Sequence, residues 1–129
     1  MGLDNYAVYG KEHPKYNHAE DAIFTSIPNE FFPQNDLCGG IFSGGGSSFR
    51  GKVYNDVVEF FTGYSLYEDI LEPEDVREIS VALNGVTEDR FKDEFSDYNS
   101  WGITYGEVQQ LAEWFHIVAE ENGSVISWY

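Results

Sequence analysis

Near the end of the chain, Thr104-Tyr105-Gly106-Glu107 has the form of a capping box. In such a box the threonine side chain accepts from the amide three residues on, and the glutamate side chain reaches back to the threonine amide. Two donors that a helix start leaves without partners are thereby satisfied. Val108, Leu111, Phe115 and Val118 follow at the period of a helix with one apolar face, and Asn122-Gly123 closes it. Ser124 to Tyr129 then reads as a terminal strand. A matching strand is expected at the other end, where Tyr6, Val8 and Tyr9 precede Gly10. Pairing of these two terminal strands is the working hypothesis.

Between them the helical signals continue. Val53, Val57, Phe60, Phe61 and Tyr64 make an apolar stripe that predicts a helix from about Phe49 to Thr62, broken off by Gly63. Ser48 is read as its N-cap, because its hydroxyl can accept from an amide of the first turn. Pro73 opens a second helix, with Glu74 and Asp75 at its positive end and Val76, Ile79, Ala82 and Leu83 on its buried face. Asn84-Gly85 ends it, and Thr87 caps a shorter charged helix carrying Phe91 and Phe95. The fold class is therefore α+β, with about four helices packed on a small sheet that includes the N- and C-terminal strands. At 129 residues, one domain with its own core is expected. A Pro-containing irregular arm at 13–34, with one short helix near Glu20–Thr25, interrupts it.

The chain holds 23 acids against seven Lys and Arg, a formal charge of −16. Direct binding to a nucleic-acid backbone is not expected, because phosphate contacts need a basic surface. An anionic membrane surface is disfavoured on the same ground, and no apolar run approaches the roughly 18–20 residues of a span. The charge favours solubility, basic partners or cations. The aromatic share of 17% argues for a packed core rather than disorder. With the single cysteine Cys38 no internal disulfide is possible, and no signal pattern opens the chain. A cytoplasmic location is expected.

The densest unusual feature lies at 39–52, where five glycines fall within eight residues at Gly39, Gly40, Gly44, Gly45 and Gly46. Gly46 to Lys52 has the spacing of a phosphate-binding loop, but Val53 stands where Ser or Thr would hold magnesium, and a large parallel sheet does not fit the chain. A nucleotide triphosphatase is rejected. Two readings of the loop remain. In one, Gly44, Gly45, Gly46, Ser47, Ser48, Arg50 and Lys52 form a small anion or phosphate site at a helix start. In the other, the loop is a tight turn whose two cations relieve a crowded acidic field. Cys38 is a candidate reactive thiol, with His13, His18 or His116 as the base it would require; the alternative is a buried, inert cysteine.

No cofactor and no metal site is assigned. Glu113, His116 and Glu120 share one helix face and can be read as cation ligands or as a solvated face, of which the second is commoner. Eleven acids between Glu68 and Asp97 stand against Arg77, Arg90 and Lys92. On consecutive helices they read either as a soluble exterior or as a surface that imitates phosphate charge and occupies a basic groove on another protein.

Met1-Gly2-Leu3-Asp4-Asn5-Tyr6-Ala7, the Leu37–Gly44 segment and Ser48-Phe49-Arg50-Gly51-Lys52-Val53-Tyr54 resemble a set of small uncharacterised proteins of marine phages and bacteria. The Thr62–Tyr67 stretch and the Gly-Ser-Val-Ile-Ser-Trp ending are similar as well. The resemblance implies a phage or bacterial cytoplasmic origin and carries over no catalytic or binding residue. The expectation is a non-enzymatic acidic protein that binds another protein, with its acidic helices or the Phe-rich arm at 13–34 making the contact. Its alternative is a ligand-binding or enzymatic site on the loop at 39–52.

Overall fold

A computed structural model describes residues 3–9, 27, 31–32, 37, 48–95 and 102–128. The element order is β1 (Asp4–Val8), β2 (Ser48–Phe49), α1 (Gly51–Thr62), β3 (Ile70–Leu71), α2 (Pro73–Asn84), α3 (Glu88–Phe95), α4 (Tyr105–Glu120) and β4 (Ser124–Trp128). The strands form an antiparallel sheet in the order β2-β1-β4-β3. The terminal strands pair with each other along their whole length, Asp4 opposite Trp128 through Val8 opposite Ser124. The fold is α+β as the sequence predicts.

β1 is buried at every position. Successive side chains of a strand point to opposite faces, so Leu3, Ala7 and Tyr9 enter the main core while Tyr6 and Val8 are buried on the other side. A strand buried on both faces suits a central place, and β1 takes one, between β2 and β4. Trp114 is the hub on the helical side. It meets Phe49 edge-on at 4.8 Å, Phe115 edge-on at 5.0 Å and Phe32 in a stack at 5.7 Å. Such offset and edge-on pairs are the geometries that the ring quadrupole favours.

The helix starts follow their sequence signals closely, with one exception. In α4 the Glu107 amide donates to Thr104 Oγ1 at 3.2 Å, and the Thr104 amide donates to Glu107 Oε1 at 3.1 Å. In α2 Pro73 takes the first helical position, and the Glu72 amide donates to Asp75 Oδ2 at 3.0 Å. Thr87 Oγ1 accepts from the Arg90 amide at 3.2 Å at the start of α3. The exception is Ser48. It is not the N-cap of α1: Ser48 and Phe49 form strand β2 against Tyr6 and Asn5, and Arg50 takes the cap position without a side-chain bond. The residues of β1 offer Ser48 and Phe49 a ladder that a sequence window cannot see. α1 consequently begins at Gly51 rather than Phe49.

Gly51 is required there by a close approach. A Cβ on it would stand 1.7 Å from Asn5 Oδ1, an atom of a side chain that is itself buried and bound through Nδ2 to the Leu66 carbonyl at 3.0 Å. At the other end Gly63 adopts φ 79°, the left-handed cap of the helix, and its amide donates to the Glu59 carbonyl at 2.9 Å. The expected stripe of α1 is corrected: Tyr64 lies beyond the helix end and is half-buried, and Tyr54 and Val58 join the buried face. Val53, Val57 and Phe61 are buried, but Phe60 is 51% exposed, lying beside Phe61 and Phe95 at 5.0 and 5.4 Å.

Candidate functional site

The acidic surface is built by α2 and α3 and the residues that lead into them. Glu68, Asp69, Glu74, Glu78, Glu88, Asp89, Asp93 and Glu94 are exposed, and Glu72 and Asp75 are half-buried. Glu72 and Asp75 serve the start of α2, and Glu74, Glu88 and Asp89 stand in first turns, where a negative charge meets the positive helix end. Local structure therefore explains part of the charge. It does not explain all of it. Glu74–Glu78 and Asp89–Asp93 are like-charge pairs one turn apart, an arrangement that destabilises a helix by roughly 0.2–0.5 kcal/mol per pair.

The basic residues in the same stretch are occupied as follows. Lys92 Nζ reaches Glu88 Oε2 at 3.6 Å, an exposed pair of small worth. Arg77 Nη1 donates to Asn122 Oδ1 at 2.8 Å, tying α2 to the turn after α4. Arg90 lays its guanidinium over the Phe61 ring, 5.0 Å from the centroid. Two arginines thus hold helices to their neighbours through an amide and a ring. Glu78 accepts a hydrogen bond from the Tyr64 hydroxyl. That bond to a carboxylate, helped by burial and by the Glu78 and Asp75 charges, pushes the tyrosine up to about 12 from 10.0.

A cleft of about 320 Å³ lies between α2 and α4. The two helices run antiparallel, since Arg77 bonds Asn122 at one end and Tyr105 Oη donates to the Val86 carbonyl at 3.0 Å at the other. Ser80 and Ala112 are buried on its floor, and their small side chains leave the space above them open. Sequence reasoning does not find this cleft, because it exists only once two separate helices are placed side by side. The only trace in sequence is the pair of small residues on otherwise bulky buried faces.

Of the residues read as an anion site, Gly44, Gly45, Gly46 and Ser47 lie outside the described residues, as do the candidate thiol Cys38, His13, His18 and nearly all of the arm at 13–34. Ser48 is 4% exposed within β2. Arg50 Nε lies 3.5 Å from Asp4 Oδ1, an ion contact without hydrogen-bond geometry. Lys52 is exposed one residue into α1, and its amide donates to the Leu3 carbonyl at 3.3 Å. Around the start of α1 the chain thus supplies its own carboxylate and carbonyl. On α4, His116 Nε2 stands 3.0 Å from Glu120 Oε1 on the exposed face. Among the described residues no group of three or more His, Cys, Asp or Glu side chains is placed to hold a metal ion.

Comparison with protein-family models, with curated proteins and with solved structures finds no match. Among the described residues no helix is long and apolar enough to cross a membrane.

Proposed function

We propose that this protein is a non-enzymatic acidic binding domain that engages a basic surface of another protein through α2 and α3. The observation that carries the reading is the retention of exposed carboxylates at like-charge spacing on these helices. Arg77 and Arg90, meanwhile, are directed to Asn122 and Phe61. Like-charge pairs lower the stability of the isolated fold, and a basic partner converts that loss into attraction and into faster encounter. The resemblance to small phage and bacterial proteins supports a bacterial cytoplasm as the setting and a host component as the partner.

The alternative, an anion ligand held by Ser48, Arg50 and Lys52 with residues 44–47, draws no support from the described part of that site. Asp4 already lies against the guanidinium, and the Leu3 carbonyl already takes an amide of the first helical turn.

The test is capture of partners from bacterial lysate by the wild-type chain and by a variant carrying Glu74→Gln, Asp89→Asn, Asp93→Asn and Glu94→Gln. All four residues are exposed, so the fold is expected to survive. A basic protein held by the wild type, released as salt shortens the Debye length below about 10 Å, and lost in the variant supports the reading. Equal capture by both chains, or none by either, overturns it.

A further inference from the structure

Ser80 and Val81 on α2 and Ala112 on α4 form the uncharged base of a trough, with Asn84 at one edge and Gln109 and Glu113 along the other. Val81 is 75% exposed, the most open large apolar side chain among the described residues. A single exposed valine needs no explanation. This one differs by position, because it stands at the rim of a cleft whose floor is also free of charge. Asn84 and Gln109 each carry both donors and an acceptor, the pair of functions that a peptide backbone requires. No lysine or arginine lines the cleft; its titratable members are Glu113 and His116. One turn along α4 from Glu113, His116 approaches Glu120 on the same exposed face.

We infer that this cleft is the docking point for an extended segment of the partner, in which an aliphatic side chain lies beside a lysine or arginine. The aliphatic group covers Val81 and Ala112, the cation meets Glu113, and the amides of Asn84 and Gln109 bond the segment's backbone. The inference rests on the protein-binding reading above and narrows it, from a diffuse charged surface to one place where apolar contact and charge coincide. Binding energy at interfaces concentrates where an apolar anchor is desolvated within a polar rim. The α2–α4 cleft has those parts side by side, whereas the exposed apolar ring beside α3, Phe60, is already packed against Phe61 and Phe95.

The probe is an acetylated Lys-Leu-Lys-Leu-Lys peptide amide, titrated into the uniformly 15N-labelled full chain while amide shifts are followed. The control peptide has glycine in place of each leucine. Shifts centred on Val81, Asn84, Gln109, Ala112 and Glu113 are expected, with affinity at least fivefold weaker for the glycine peptide. Val81→Lys and Glu113→Lys, both at exposed positions, are each expected to weaken binding at least fivefold with the fold intact by circular dichroism. Shifts centred on Asp89, Asp93 and Glu94 with the cleft silent would overturn the inference and leave the acidic-surface reading standing. Shifts nowhere would overturn both. Cleft amides that move on dilution of the chain alone would assign the trough to a second copy, and would equally overturn a partner segment.

Discussion

Replacing Glu107 by alanine removes the contacts made by both oxygens of one carboxylate. Oε1 accepts from the Thr104 amide in the capping box, and Oε2 accepts from Tyr54 Oη at 2.7 Å, bridging α4 to the buried face of α1. The box arm contributes about 0.5–1 kcal/mol. A hydroxyl-to-carboxylate bond is charge-assisted and contributes up to about 3 kcal/mol, but Glu107 is half-exposed, which reduces this to about 1.5 kcal/mol. The expected loss for Glu107→Ala is therefore about 2 kcal/mol, or roughly 6–12 °C in Tm for a domain of this size. Tyr54→Phe keeps the fully buried ring and removes only the bridge, so about 1.5 kcal/mol is expected. The assay is urea unfolding followed by tryptophan fluorescence, for which the buried Trp114 is the natural reporter. Because both single changes delete the same bond, the double variant must be less destabilised than their sum. Glu107→Ala within about 0.5 kcal/mol of wild type, or strict additivity with Tyr54→Phe, would refute the bridging role.

Gly51→Ala drives a methyl into Asn5 Oδ1, which its bond to Leu66 prevents from swinging away, and a loss of about 1–3 kcal/mol in the same urea assay is expected. An unchanged midpoint would mean that Asn5 yields. Tyr64, raised by its bond to Glu78, stabilises the fold fully below pH 10 and loses that contribution as the pH climbs towards 12. The wild-type minus Tyr64→Phe tyrosinate difference spectrum is expected to titrate near 12, and in a Glu78→Gln background to move back towards 10; a midpoint near 10.0 with Glu78 present would contradict the link. Deleting residues 125–129 takes most of β4 away from both its neighbours, β1 and β3, so a chain without cooperative unfolding is expected. A retained sharp transition would place the sheet's stability elsewhere.

What could be read from the sequence was local, and what could not was relational. The capping box of α4, the proline start of α2 and the glycine stop of α1 are each encoded within a few residues, and each stands where its chemistry puts it. The terminal strands were legible because each is a run of suitable residues next to a turn. β2 and β3 were not: each is two residues long and exists only because β1 or β4 offers an open edge. Ser48 shows the conflict directly, since a serine before a helical pattern is a good cap until a strand claims its backbone. Phe60 shows another, since the face that α1 buries is centred on Val57, Phe61 and the flanking Tyr54 and Val58, which leaves Phe60 at its edge. At the candidate site the acidic character was plain in composition, but the cleft beside it depends on Ser80 meeting Ala112, more than thirty residues apart in sequence.

A charge of −16 has opposite consequences for folding and for binding, and salt separates them. Within the chain, ion pairs such as Arg50–Asp4 and Lys92–Glu88 are partly or largely exposed and offset little of the repulsion among the remaining carboxylates. Screening that repulsion relieves the folded state more than the expanded unfolded chain, so Tm is expected to rise as salt is added across the range where the Debye length falls from about 30 to 3 Å. Attraction between an acidic surface and a basic partner weakens over the same range. Stability and capture must therefore respond to salt with opposite signs. If the carboxylates were held mainly by internal cations, salt would lower Tm instead, and the surplus charge on which partner recognition depends would not exist. A thermal melt and a capture assay in the same salt series decide between these two arrangements.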